Sequence, residues 1–568
     1  MDCYNNKSDY NHAREDFMKY TIDLYKAAVE NSDKGFANLI RNQMIKADDW
    51  QHGGYLNCDF GLVPYGAGGS AANAIMLYFC PESKYYRSDE AYHAADLLFT
   101  FLYNNLRPSG VIDLHLANYY SAPDTSFTNI GLCKTYHFIK NRKTDARGEE
   151  LKKRLYDALS KLADGIFTGG FHTPNHRWVE SAALALAMNI TGKKEYLTRI
   201  NAFLNEGIDC NEDGEYAERS AGGYNQINNM AMLILAEELN KPELLEPVRR
   251  NLKMMAAYYH TNFEIFTQNS TRQDRGTSVY ADKYIYQYLK AGHLLKDNEL
   301  LGMGRAIIDE CLKKGRVFQV GLTEMMTEPE LVEIPDVEPY MPTEYDYHFK
   351  DSGIVRMGHN GMTVSIMENN ETFFFLQSGE VDMYIRGGIH FFNERHIKVK
   401  NIRKTENGYL MDYHGEGTYY LPYKEYQGTS DFNKMDRSKR ETTGPITVDA
   451  TLEVKRTEKG FAVRMKIDGC TKAPVRFEMG VNPNAVIFGD GYTIRANAGG
   501  KLVASKGYVK VETGTSGVKI GPAFAETFVT EGLFGSVPVS GSKYNIFFNA
   551  LTPFDHEFTI EPIEHIED

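Results

Sequence analysis

Apolar residues fall on two different spacings along this chain. From residue 12 to about 315 they recur at intervals of three and four, which places them on one face of a helix. That spacing predicts helices in AREDFMKYTIDLYKAAVENS (13–32), DEAYHAADLLFTFLYNNL (89–106), RGEELKKRLYDALSKLADGIF (147–167), WVESAALALAMNITG (178–192), KEYLTRINAFLNEGI (194–208), NNMAMLILAEELN (228–240), PELLEPVRRNLKMMAAYYH (242–260) and ADKYIYQYLKAGHLL (281–295). Gly, Pro or Asn/Asp punctuates most of the gaps. Roughly a dozen helices, pairing every ~40–50 residues, match the scale of helical-hairpin repeats. No sequence repeat is evident, so an α/α toroid and an irregular helical array both fit.

The pattern then changes twice. TEMMTEPELVEIPDVEPYMPTEYDY carries Pro329, Pro335, Pro339 and Pro342 among acidic residues. Such a stretch cannot hold a long helix and reads as a linker over 316–345. From 346 onward, short β-type runs sit between Gly/Asn/Asp turns: GMTVSIME, ETFFFLQS, EVDMYIRG, GFAVRMKIDG, VRFEMGVN, KLVASKGYVKVET and KYNIFFNAL. The expected architecture is an α/α toroid over 1–315, the linker, and an antiparallel β-sandwich over 346–568.

Composition narrows the function. Aromatic residues make up 12% of the chain, with 37 Tyr and 31 Phe, and tyrosine-rich clefts suit carbohydrate because a ring stacks on a sugar face while its hydroxyl bonds sugar hydroxyls. Net charge is −13 with no long Lys/Arg run, which argues against nucleic acid. An anionic ligand would then need a local basic pocket. The seven Cys are scattered, without CxxC spacing, as expected of reduced thiols. The polar start MDCYNNKSDYNHARED has no apolar core of a signal peptide, and no apolar run reaches the ~18 residues of a membrane span. Together these predict a cytoplasmic protein.

Three segments of the helical half carry more polar chemistry than packing needs: Asn175-His176-Arg177-Trp178, NEDGEYAERSAGGYNQINN (211–229) and QNSTRQDRGTSVY (268–280). A fourth is GVIDLHLANYYSAPDTSF (110–127), which contains Asn118 and Tyr119. Singly, each has a plain reading. His176 can be a buried hydrogen bonder, Asp213-Gly214 a turn, Ser270 or Thr271 a helix cap, and Asp124 or Thr125 a helix start.

Taken together, Asn175-His176 at a helix start followed by DGEYAERSAGGY, ending at Tyr224, resembles the heparinase II/III and alginate lyase superfamily of polysaccharide lyases. The α-then-β order is similar along nearly the whole chain. The resemblance implies β-elimination of a uronate-containing glycan, glycosaminoglycans such as hyaluronan, chondroitin or heparan sulfate first and alginate second. It implies that Asn175 neutralises the substrate carboxylate and that His176 and Tyr224 serve as base and acid, in an order the sequence leaves open. Arg272 or Arg275, with Asn269, is then expected to bind the substrate anion, as a guanidinium pairs bidentately with carboxylate or sulfate. Arg177, Trp178, Asn118, Tyr119 and Glu218 complete the expected binding residues.

In the resembling lyases the sheet domain contributes a His, and some members hold a divalent metal. His390 is the candidate here. His396 and Asp382 are the further residues available for zinc or manganese, although the heparinase zinc signature is missing. His348, His359 and His414 are left unplaced. Glu380, Asp382, Tyr384 and Arg386 alternate along one strand face. Two other readings remain: an α/α-toroid glycoside hydrolase using carboxylates among Asp213, Glu215 and Glu218, and a glycan-binding protein without catalysis.

Overall fold

In the computed structural model the described residues are 25–55, 64–316, 320–328, 331–332, 337–532 and 535–563. The predicted first helix is therefore described only over 25–41, and the start of the chain lies outside the described residues, as do Pro329 and Pro335. The chain divides into two compact units. One runs to Ala256 and resumes over Ile265–Met341; the other takes Ala257–Glu264 and everything from Pro342.

Among the described residues there are twelve α-helices: α1 (25–41), α2 (Pro64–Phe79), α3 (Asp89–Asn104), α4 (Ala122–Ile139), α5 (Ala146–Thr168), α6 (Pro174–Thr191), α7 (Tyr196–Asn205), α8 (Tyr224–Glu238), α9 (Leu245–Tyr258), α10 (Ile285–Leu295), α11 (Asn298–Lys313) and α12 (Leu322–Thr327). Alternate helices form an inner series, α2 against α4, α4 against α6, α6 against α8 and α8 against α10. α3, α5, α7 and α11 pack outside as hairpin partners. The residue patterns explain this division. α5 buries one stripe, Leu151, Leu155, Leu159, Leu162 and Ile166, as an outer helix should. α6 buries every residue from Trp178 to Ala187, so this stretch has no solvent face. Its small residues Ala182, Ala183, Ala185 and Ala187 let neighbouring backbones approach closely. α2, with the sequence PYGAGGSAANAIMLYF, belongs to the same small-residue inner class. That composition masks the one-faced periodicity, and the helix was not expected.

Of the expected linker, much packs on the helical unit. Glu328, just after α12, meets Lys134 at 3.2 Å and Lys290 at 3.3 Å. The Tyr340 N–H donates to the Gly302 carbonyl (3.0 Å) and Arg305 to the Val337 carbonyl (2.7 Å). Breaking a helix with proline did not make this stretch a free tether.

The second unit holds two nine-stranded sheets among its described residues. Tyr345–Phe349, Ile354–His359, Met362–Met367, Thr372–Ser378 and Val381–Phe391 form an antiparallel meander. That sheet continues through Pro474–Val481 and Tyr544–Leu551 to Lys501–Val503, its one parallel neighbour. The other sheet centres on the long pair Gly408–Tyr420 and Thr442–Arg456. Residues of both sheets, such as Val364, Met383, Met411, Val463 and Phe558, share one buried core, which makes the unit a sandwich. KLVASKGYVKVET, expected as one strand, is two: Lys501–Val503 lies in the first sheet and Val509–Thr513 in the second.

Candidate active site

Each inner helix is followed by an outer helix that returns the chain, so the inner helices start at a common end. α4 is capped by Ser121, whose hydroxyl accepts from the Asp124 N–H (3.2 Å). The cap is thus Ser121, and the helix begins earlier than Asp124. α6 starts with Pro174 in its first turn, which needs no N–H there. Asn175 and His176 follow in the same turn. α8 starts at Tyr224, whose N–H donates to the Ser220 hydroxyl (3.0 Å). The 3₁₀ turn Ala281–Tyr284 leads into α10. Helix N-termini leave N–H groups pointing outward and favour anions nearby.

At this end Asn175, His176, Glu218, Tyr224 and Arg272 form a linked group. The Asn175 amide is fully buried and donates to both oxygens of Glu218 (2.9 and 2.8 Å) and to the Thr173 hydroxyl (3.1 Å). Its own Oδ1 has no partner. Arg272 lies 3.8 Å from Glu218 and over the Tyr224 ring, 4.8 Å from its centroid. The Tyr224 hydroxyl donates to Gln273 Oε1 (3.4 Å). Burial pushes the Glu218 carboxyl up, with Asn175 and Arg272 opposing. Burial, then the neighbouring His172 and Arg272, holds His176 down at about 4, and its Nδ1 has no partner. The imidazole is therefore neutral at neutral pH.

Asp274 ties the loop of residues 267–279 to the segment before α8. It accepts from Ser220 (2.8 Å), Ser270 (2.5 Å) and the Gly222 N–H (2.9 Å). Gly222 sits so close to it that an added Cβ would lie 3.0 Å from both Asp274 Oδ2 and Thr267 Cγ2. The expected helix cap at Ser270 or Thr271 is instead part of this loop.

Beside Tyr224 opens a cavity of about 800 Å³. Leu114, Leu116, Phe127, Ile227, Met230 and Val279 supply its apolar wall, and Asp124, Tyr224, Gln273, Asp274, Lys283 and Gln287 its polar points. Tyr224 belongs to both the cavity wall and the linked group. Asn175 and His176 are not among the lining residues.

The other expected residues separate clearly. Trp178 is fully buried, with its indole N–H donating to Asp209 (2.6 Å), so it presents no face to a sugar. Arg177 is spent on Glu206 (2.9 Å) and Asp209 (3.3 Å). Both belong to the support of the α6 start, a correction to their expected binding role. Of the two arginines offered for the substrate anion, Arg272 reaches the linked group, whereas Arg275 lies on the exposed side of the same loop. Asn269 is half-buried in that loop. Asn118 and Tyr119 lie in a small hairpin, Ile112–Leu114 with Asn118–Ser121. Asn118 donates to Asp124 (2.8 Å) on the cavity wall, and Tyr119 is exposed in the second strand. Asp213 sits in an exposed turn that Gly214 closes with a φ of 90°, while Glu215 is buried. Lys283 and Gln287 were missed, since nothing in ADKYIYQYLKAGHLL sets them apart from an ordinary helix start.

In the sheet unit the three residues offered to a metal do not make a site. The Asp382 carboxylate is taken by Lys543. His396 Nε2 accepts from the Val537 N–H (2.9 Å). His390 is half-exposed on the strand face that also carries Tyr384 and Arg386, and burial with Arg395 and Arg476 nearby holds it down. Among the described residues no three His, Cys, Asp or Glu side chains are grouped to hold a metal. His359 is tied between Glu344 (2.8 Å) and the Thr457 carbonyl (2.9 Å), and His414 pairs with Asp449 (2.7 Å) on the surface. His348 packs edge-on against Tyr409.

No family model matches the chain, and no curated protein matches it. Solved structures do. A mutant of the chondroitin AC lyase of Streptomyces coelicolor A3 aligns with a TM-score of 0.56 at 8% identity, covering 95% of this chain and 79% of that one. The same enzyme in complex with chondroitin sulphate aligns at 0.55, with the same identity and coverage. The likeness establishes the fold: a toroid-like helical region followed in sequence by an antiparallel β-sheet region, as the resemblance implied.

Proposed function

We propose that this chain is a polysaccharide lyase that cleaves a uronate-containing glycan of the chondroitin type by β-elimination. The observation that carries the reading is Tyr224: one tyrosine lines an 800 Å³ cavity and lies under the guanidinium of Arg272. The shared fold with a chondroitin AC lyase supports it.

The reaction removes the C5 proton of the uronate, forms the C4–C5 double bond from that electron pair, and expels the C4 oxygen, which takes up a proton. The C5 proton is weakly acidic until the adjacent carboxylate is neutralised. Arg272 and the helix N-termini supply positive potential for that carboxylate. The Asn175 amide hydrogens are held by Thr173 and Glu218. Asn175 thus acts on the substrate only where Glu218 yields its bond; burial raises the Glu218 carboxyl, while the Asn175 amide and Arg272 act against that rise. Tyr224 is the proton-transfer group at the scissile bond. His176, a neutral imidazole off the cavity wall, is the base-competent group behind it.

The test is the ultraviolet band of the unsaturated uronate, followed over hyaluronan, chondroitin sulfates, heparan sulfate, alginate and pectin. Tyr224→Phe is expected to cut turnover at least ~100-fold. His176→Gln is expected to cost less. The reverse order moves the proton transfer to His176, and wild-type rates in both variants end the assignment.

A further inference from the structure

The cavity beside Tyr224 has features the reaction itself does not use. Lys283, half-buried in the 3₁₀ turn before α10, lines it and forms no ion pair with any described carboxylate. The two carboxylates on the wall are already committed. Asp124 accepts from Asn118 and Ser121. Asp274 accepts from Ser220, Ser270 and Gly222. Gln287, one turn beyond Lys283, is 5% exposed; its amide donates to the Gln226 carbonyl (3.2 Å), but its Oε1 has no partner. A buried acceptor without a donor costs about 1–3 kcal/mol unless something supplies the hydrogen. The rest of the wall mixes apolar residues with the neutral Tyr224, Gln226, Gln273 and Thr277, and it holds no second lysine or arginine to pair with another anion.

Resting on the lyase reading, we propose that this cavity is a sugar subsite for a ring carrying one anionic substituent, paired with Lys283, and a hydroxyl or amide N–H that donates to Gln287 Oε1. The ring face lies against Leu114, Phe127, Ile227 and Met230. The anion is a carboxylate or a single sulfate ester, and a ring bearing two anionic groups is disfavoured.

Kinetics of Lys283→Gln on hyaluronan, monosulfated chondroitin and disulfated chondroitin test this. KM rises about 10-fold with kcat within a factor of about two, the scale of one charged hydrogen bond. An equal rise on all three substrates identifies the carboxylate, and a rise on the sulfated ones alone identifies the sulfate. Unchanged KM on every substrate overturns the subsite. A second measurement is independent of chemistry: calorimetric binding of the same oligosaccharides to Tyr224→Phe, with and without Lys283→Gln. A roughly 10-fold weaker Kd in the double variant sustains the subsite even if wild type forms no unsaturated product, an outcome that sinks only the lyase reading. Equal affinities sink the subsite itself.

Discussion

Arg476 in the sheet unit and Arg272 in the helical unit are held in different ways. In the sheet unit Arg476, 3% exposed, spends all three guanidinium nitrogens. Nε donates to Asn549 (3.1 Å), and the two terminal nitrogens donate to the Glu531 and Val529 carbonyls (both 2.6 Å). Beside it Glu478 accepts from Tyr384 and Arg386, both at 3.3 Å. In the helical unit Arg272 lies over Tyr224 with its Nε 3.8 Å from Glu218 and without a hydrogen bond, and Asn175 Oδ1 and His176 Nδ1 lack partners. Further down α6, Glu180 is fully buried with neither oxygen bonded. Buried polar groups are normally satisfied, and a satisfied set rigidifies a fold. Of these groups Arg272 is the one that adjoins the cavity wall, through the Tyr224 ring beneath it.

The comparison can be sharpened first at Glu180. Burial raises its carboxyl to about 8 from an ordinary 4.5. The unfolded chain therefore loses the proton first, and stability is full below pH 4.5 and falls as pH rises through 8. Glu180→Gln removes that slope, a difference of at most about 5 kcal/mol at the alkaline end. Chemical denaturation across pH measures it, and an unchanged slope means that Glu180 finds a charge partner.

Next in size, Arg476→Gln leaves buried carbonyls without donors and lowers stability by about 3 kcal/mol, with activity per folded molecule unchanged. Arg272→Gln does the opposite: melting hardly moves, while kcat/KM on the uronate substrate falls at least ~10-fold. If both variants behave alike, the distinction between spent and spare charge fails.

Smallest is His176. Its value of about 4 lies below the usual 6.5, so the unfolded chain gains a proton first as pH falls. Stability is complete above pH 6.5 and lost as pH drops through 4, by at most about 3 kcal/mol. His176→Gln flattens that acid limb. Between pH 4.5 and 6.5 the His176 and Glu180 slopes oppose each other, so each emerges only in the variant lacking the other.

Much of this was legible in advance because it is local. The three-and-four spacing of α5 and the alternation of Val381–Phe391 follow from which faces those elements bury. The Asn175-His176 start of α6 was visible as polar residues heading an apolar run, whereas α8 was expected only from Asn228 and Tyr224 was singled out by the resemblance. α2 was not, because an inner helix of small residues has no polar face to set its period. Nor was Lys283, whose importance lies in having no carboxylate partner among the described residues, and a partner is a property of space.

The sequence by itself determined the order of helices and strands, since periodicity and turn residues act within a few positions. It also determined that amide, imidazole, phenol and guanidinium groups would be available in the helical half. Only the tertiary structure decided which of them meet. The common start of the inner helices brings Glu218, Arg272 and Tyr224 together from separate loops, buries Trp178 and occupies Arg177. Burial then sets their charge, lowering His176 and raising Glu218 and Glu180, because removing water penalises whichever protonation state carries charge.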